Sequence, residues 1–131
     1  MTVSSNQEQD WAKRWDELYT ALSAEPRRMI LASLLDAPPE RRLPMPDAAE
    51  SPNQPMDSET LTFQLQHHHL PLLAETGYVD WKSAPFVVER GPRFEEPAFI
   101  MKMVIESFNE IPESLINNCK IFIKWVEDER T

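Results

Sequence analysis

Three observations predict a mostly helical α+β fold for this chain of 131 residues. Apolar residues recur every three or four positions through several segments, the spacing of helices with one buried face. One run, Tyr78 to Arg90, is instead dense in Val, Phe, Tyr and Trp, which favours strands. Gly77 stands between the last helical residue and the first strand residue, where a helix is expected to stop. With 41% apolar residues and four tryptophans, the chain can fill one packed core.

Along the chain, residues 1–10 are polar and are expected to form a disordered tail. In the first helix, Trp11, Trp15, Leu18, Tyr19 and Leu22 share one face. A second helix is expected over Glu25–Asp36, with Ser23 as its cap, Pro26 in its first turn and Met29, Ile30, Leu31, Leu34 and Leu35 as a broad apolar surface. Prolines then break the pattern between Pro38 and Pro55, leaving room for a short strand at Arg42–Met45 and one helical turn at Asp47–Glu50. A third helix is expected over about 58–76. It begins where Asp57, Ser58 and Glu59 suit the positive end of a helix dipole, and it ends at Gly77. Tyr78–Lys82 and Pro85–Arg90 form a two-stranded hairpin. The turn 91–97, a helix over about 98–110, and a last helix carrying Leu115, Ile116, Cys119, Phe122, Ile123 and Val126 follow. The expected organisation is a tail (1–10), one helix-and-hairpin domain (11–97), and C-terminal helices (98–131) that serve as a dimerisation element.

Composition narrows the function. No run approaches the ~18 apolar residues of a membrane helix, and the N-terminus lacks the pattern of a secretory signal. A cytoplasmic protein with no membrane partner is expected. Cys119 is the single cysteine, so neither an internal disulfide nor a cysteine-rich zinc site is expected. With only two glycines there is no glycine-rich phosphate loop. No nucleophile elbow and no zinc-protease motif is present, and no spacing singles out an acid/base pair. The chain is therefore expected not to be an enzyme and to need no cofactor. His67, His68 and His69 tempt a metal reading, but consecutive helical residues point about 100° apart and do not converge on one ion.

The net charge of −9 counts against a polyanion partner. Its distribution softens that. Residues 26–44 sum to +2 through Arg27, Arg28, Arg41 and Arg42 against Asp36 and Glu40, and Lys82, Arg90 and Arg93 cluster about the hairpin. On a helical wheel Leu61, Leu65, His69, Leu72, Leu73 and Thr76 face inward, with Leu70 and Phe63 flanking them. Thr60, Gln64, His67, Pro71 and Glu75 face outward, with His68 at the edge. Gln can bond adenine in the major groove, and His can donate to base edges or phosphates. Pro71 removes the helical bond to the His67 carbonyl, so a kink or break near His68–Leu70 is expected.

These segments resemble a known group. The helix Ser23-Ala24-Glu25-Pro26-Arg27-Arg28-Met29-Ile30-Leu31, the joint His69-Leu70-x-x-Leu73-x-x-x-Gly77-x-Val79, and the segments HHHLPLLAETGYVDW and VVERGPRFEEP are similar to those of ArsR-like winged helix-turn-helix regulators of haloarchaea. The chain's acidity and its five lysines resemble proteins of those salt-loving organisms. The resemblance spans about Leu22 to Glu96. It implies a two-stranded wing and a homodimer, joined through the N- and C-terminal helices, that binds double-stranded DNA to regulate transcription. The helix over about 58–76 would enter the major groove. The implied DNA-binding residues are Arg27, Arg28, Thr60, Gln64, Gln66, His67, His68, Lys82, Arg90 and Arg93. Two departures stand out: the helix before the recognition helix is reduced to the Asp47–Glu50 region, and the cysteine metal-sensing box is missing. The operator and any small-molecule effector are not legible. The main rival is a winged-helix module for protein–protein contact without DNA. A third reading is a small-molecule sensor with an apolar pocket between wing and C-terminal helices.

Overall fold

A computed structural model describes residues 5–51 and 56–116. It is a mixed α+β structure in which helices pack around one antiparallel sheet of three strands. Helix α1 spans Ser5–Leu22. It starts well inside the expected tail, because the polar stretch 5–10 is rich in Gln and Glu, which tolerate a helix well. Its expected apolar face is only half used. Leu18 and Ala21 are buried and Trp15 and Leu22 pack partly, but Trp11 and Tyr19 are exposed. Trp11, Trp15 and Tyr19 form a ladder of ring contacts at 6.4 and 6.0 Å.

Helix α2 spans Glu25–Asp36, with the boundaries its sequence predicts. Its cap differs. Ala24 is the N-cap residue, and the Ser23 hydroxyl instead donates to the Thr20 carbonyl at 2.7 Å. Ile30, Leu31 and Leu34 are fully buried, and the helix packs against both α1 and α5, the core position expected of it.

The proline-rich stretch holds a short strand and a helical turn within the segments expected for them. Strand β1, Leu43–Pro44, pairs with the hairpin through Leu43↔Val88 and Pro44↔Val87. The expected two-stranded hairpin is thus part of a three-stranded sheet of order β1-β3-β2. A 3-10 turn at Asp47–Ala49 follows, tied to α2 by the Ser33 hydroxyl, which donates to the Ala48 carbonyl at 2.9 Å. Strands β2, Val79–Ser83, and β3, Phe86–Arg90, pair from Val79↔Arg90 to Ser83↔Phe86 around the turn Ala84-Pro85. Helices α3 (Ser58–Gln64) and α4 (Leu70–Glu75) lie between β1 and β2 in the chain.

Helix α5 spans Glu95–Glu106, so Pro97 sits in its first turn, where a missing N–H costs little. The stretch read as a turn over 91–97 is therefore shorter. A 3-10 turn at Phe108–Glu110 and helix α6, Glu113–Ile116, complete the described chain. Cys119, Phe122, Ile123 and Val126 of the expected last stripe lie outside the described residues. Leu18, Ile30, Leu65, Leu73, Tyr78 and Val88 belong to one core that joins α1 to α5 and the sheet around α2. Among the described residues no helix is long and apolar enough to cross a membrane.

Candidate nucleic-acid interface

The candidate surface is the outer side of the helical stretch 58–75, with the hairpin beside it. Asp57 starts the stretch. Its carboxylate accepts from the Thr60 amide at 3.2 Å and from the Thr60 hydroxyl at 3.3 Å, satisfying one orphan donor of the first turn.

The expected kink at Pro71 takes another form. Residues Leu65–His69 are a π-helical segment, and the Leu70 amide donates to the Leu65 carbonyl, five residues back. A proline ring collides with the carbonyl four residues before it, and a widened turn there makes room. Each π turn uses one residue more than an α turn, so the faces beyond it fall back by about one position, roughly 100°. That lag explains the burial. Leu61, Leu65, His69 and Leu73 face the core as expected, but Leu70 is fully buried and Leu72 only partly so.

The C-terminus is held by a two-glycine clasp. Gly77 has φ of 83°, the left-handed region. Its amide donates to the Ala74 carbonyl at 3.0 Å, and the Tyr78 amide donates to the Leu73 carbonyl at 3.0 Å, a Schellman motif. The Gly91 amide donates to the Tyr78 carbonyl and the Arg93 amide to the Gly77 carbonyl at 2.7 Å, fastening the base of the hairpin to the helix end. A side chain at residue 91 would meet the Gly77 carbonyl oxygen at 2.5 Å, so only glycine fits.

The sequence-predicted cations divide into two groups. Arg27 is 4% exposed, and its donors are taken up inside the fold. Its guanidinium donates to the carbonyls of Ala21 and Thr20, to the Ser23 hydroxyl at 2.9 Å, and to His69 Nδ1 at 2.8 Å. The signal was in the sequence: Arg27 lies three, four and seven residues before Ile30, Leu31 and Leu34, on the buried face of α2. Arg90 also leaves the expected set. It donates to the carbonyls of Leu34 (Nη2, 2.9 Å), Leu35 and Ala37, capping the C-terminus of α2, and its guanidinium lies 4.7 Å from the Phe94 ring centre. Arg28, Lys82 and Arg93 are exposed. Arg28 donates to the Leu22 carbonyl at 2.6 Å. The aliphatic stem of Arg93 packs over Gly77.

The three histidines separate as the wheel predicts. His69 is buried and accepts from Arg27 at Nδ1. Because a guanidinium only donates, His69 must be neutral with its proton on Nε2. Burial, then the charge of Arg27, then His68 hold its pKa at about 4. His67 and His68 are exposed, as is Thr60, while Gln64 and Gln66 are half-buried. His68 Nε2 lies 3.4 Å from the same Arg27 Nη1, so His68 is oriented by the buried cation.

Phe63 also departs from the reading given it. Phe63, expected to flank the core, is 64% exposed, and its ring lies 4.4 Å from that of His67. Its place two residues from both Leu61 and Leu65 sets it opposite them on the wheel, and that was the available signal. Thr60, Phe63, His67 and Pro71 thus form one exposed strip. Between Glu59 and Glu75 the chain has no Asp, Glu, Lys or Arg at all. Among the described residues no group of His, Cys, Asp and Glu is placed to hold a metal ion.

A second surface lies between α1 and α5. Asp10, Trp11, Arg14, Trp15, Leu18, Glu95, Glu96 and Phe99 line an open groove of about 620 Å³. Arg14 bridges to Glu96 across it. No family model, no curated protein and no solved structure matches the chain.

Proposed function

We propose that this chain is a winged-helix DNA-binding regulator that works as a homodimer, with helix 58–75 in the major groove. The carrying observation is the outer face of that helix. In a chain of net charge −9, it presents Thr60, Gln64, His67 and His68 with no carboxylate from 60 to 74. A phosphate-lined groove repels carboxylates, and base edges take neutral donors and acceptors. The order helix, strand, turn, helix, hairpin and the strand order β1-β3-β2 support the winged-helix reading. Arg28 on α2, Lys82 on the hairpin and Arg93 in the turn after it, all exposed, supply the phosphate contacts. Exposed Trp11 and Tyr19 on α1 and Phe99 and Met103 on α5 supply the apolar surface for a second copy.

The test is a fluorescence-polarisation titration on genomic fragments at low and high salt, with a Gln64/His67/His68 triple alanine variant alongside. Saturable binding that the variant loses supports the proposal. No binding at any salt concentration would overturn it. A rival, a winged-helix module that contacts another protein, is favoured by the exposed Phe63 and the acidic surface.

A further inference from the structure

We infer that Phe63 recognises the 5-methyl group of thymine, with His67 donating to the adjacent O4; this rests on the DNA-binding reading above. Phe63 sits mid-way along the exposed strip of the helix and is 64% exposed, although a phenyl ring facing water has no role in the core. It is not a loose side chain. The His67 ring, one turn later, lies 4.4 Å away at an interplanar angle of 37°, which limits the rotamers Phe63 samples and lowers the entropy lost on contact. The pair offers an apolar ring next to a ring nitrogen. In the major groove thymine alone presents a methyl group next to an acceptor, O4. Cytosine offers a donor there and no methyl, so it satisfies neither half of the pair. The absence of charge from 60 to 74 fits the same target, since neither an ammonium nor a carboxylate is needed to read it.

The experiment uses a duplex selected by the wild-type protein from a random-sequence library. Each thymine in turn is replaced by deoxyuridine, which removes the methyl and keeps every hydrogen-bonding group. At one or two positions per half-site the wild type is expected to lose about fourfold in affinity, the equivalent of one buried methyl at ~0.8 kcal/mol. Phe63→Ala is expected to bind the thymine and deoxyuridine duplexes equally, and Phe63→Leu to keep part of the discrimination. Circular dichroism of both variants checks the fold, which an exposed position leaves intact. A wild type indifferent to every replacement, or a Phe63→Ala protein that still discriminates, overturns the inference and leaves the DNA-binding reading standing. Failure of the wild type to select any duplex overturns both.

Discussion

Arg27 Nη1 donates to His69 Nδ1 at 2.8 Å, and this one bond ties the helix that would read DNA to the core helix behind it. The bond exists only while His69 is neutral. The imidazole pKa is depressed from 6.5 to about 4, so the folded state resists protonation and the unfolded state does not. Stability from this site is therefore complete above pH 6.5 and declines as pH falls toward 4. Unfolding by urea at pH 7.5 and pH 5 is expected to differ by about 2 kcal/mol from this group. His69→Gln, which accepts from Arg27 without titrating there, is expected to flatten that difference. An equal pH response in the variant would assign the effect to other groups.

The two-glycine clasp gives a steric prediction. Gly91→Ala places a methyl against the Gly77 carbonyl at 2.5 Å, with backbone on every side. It is expected to cost about 3 kcal/mol. Gly77→Ala meets only the flexible Arg93 side chain at 3.4 Å and strains φ, which costs about 1 kcal/mol. Thermal melts of the two variants are expected to rank in that order.

Arg90 is expected to behave as a structural residue. Arg90→Ala strips the partners from the last carbonyls of α2 and is expected to cost about 2–3 kcal/mol in urea unfolding. Arg90→Lys keeps the charge but not the fork, and is expected to recover less than half of that. Lys82→Ala, at an exposed hairpin position, is expected to change stability by less than about 0.5 kcal/mol.

DNA affinity is expected to depend only moderately on salt. With Arg28, Lys82 and Arg93 as phosphate contacts, the slope of log affinity against log salt is expected near −3 per protomer, at about 0.9 per contact. Lys82→Ala is expected to reduce its magnitude by about one. A slope unchanged by that substitution would remove the hairpin from the contact.

The elements were legible where the signal was local. The bounds of α2 follow from its apolar spacing and Pro26, and the end of α4 follows from Gly77. The hairpin followed from its β-branched and aromatic run. What escaped depends on partners distant in sequence. Arg90 and its carbonyls at Leu34 and Ala37 lie more than fifty residues apart, and nothing in the hairpin's own sequence marks that arginine as a helix cap. The short strand itself falls inside the expected Arg42–Met45, but its pairing of Leu43 with Val88 joins residues far apart in sequence. The π segment is intermediate. Pro71 announced a disturbance, but the choice between a bend and an added residue is made by which leucines the core accepts. The outward placement of His67 and His68 was legible, whereas the burial of Arg27 and the exposure of Phe63 were missed, although the wheel carried both.

Leu61, Leu65, Leu70 and Leu73 are separated by four, five and three residues. An unbroken α-helix keeps such leucines on one line with intervals of four, four and three. The segment between Leu65 and Leu70 thus holds one residue more than a regular helix would place there. A variant with one residue deleted between Leu65 and Leu70 is expected to keep those leucines in the core, close the surplus turn and re-space the outer edge of the helix.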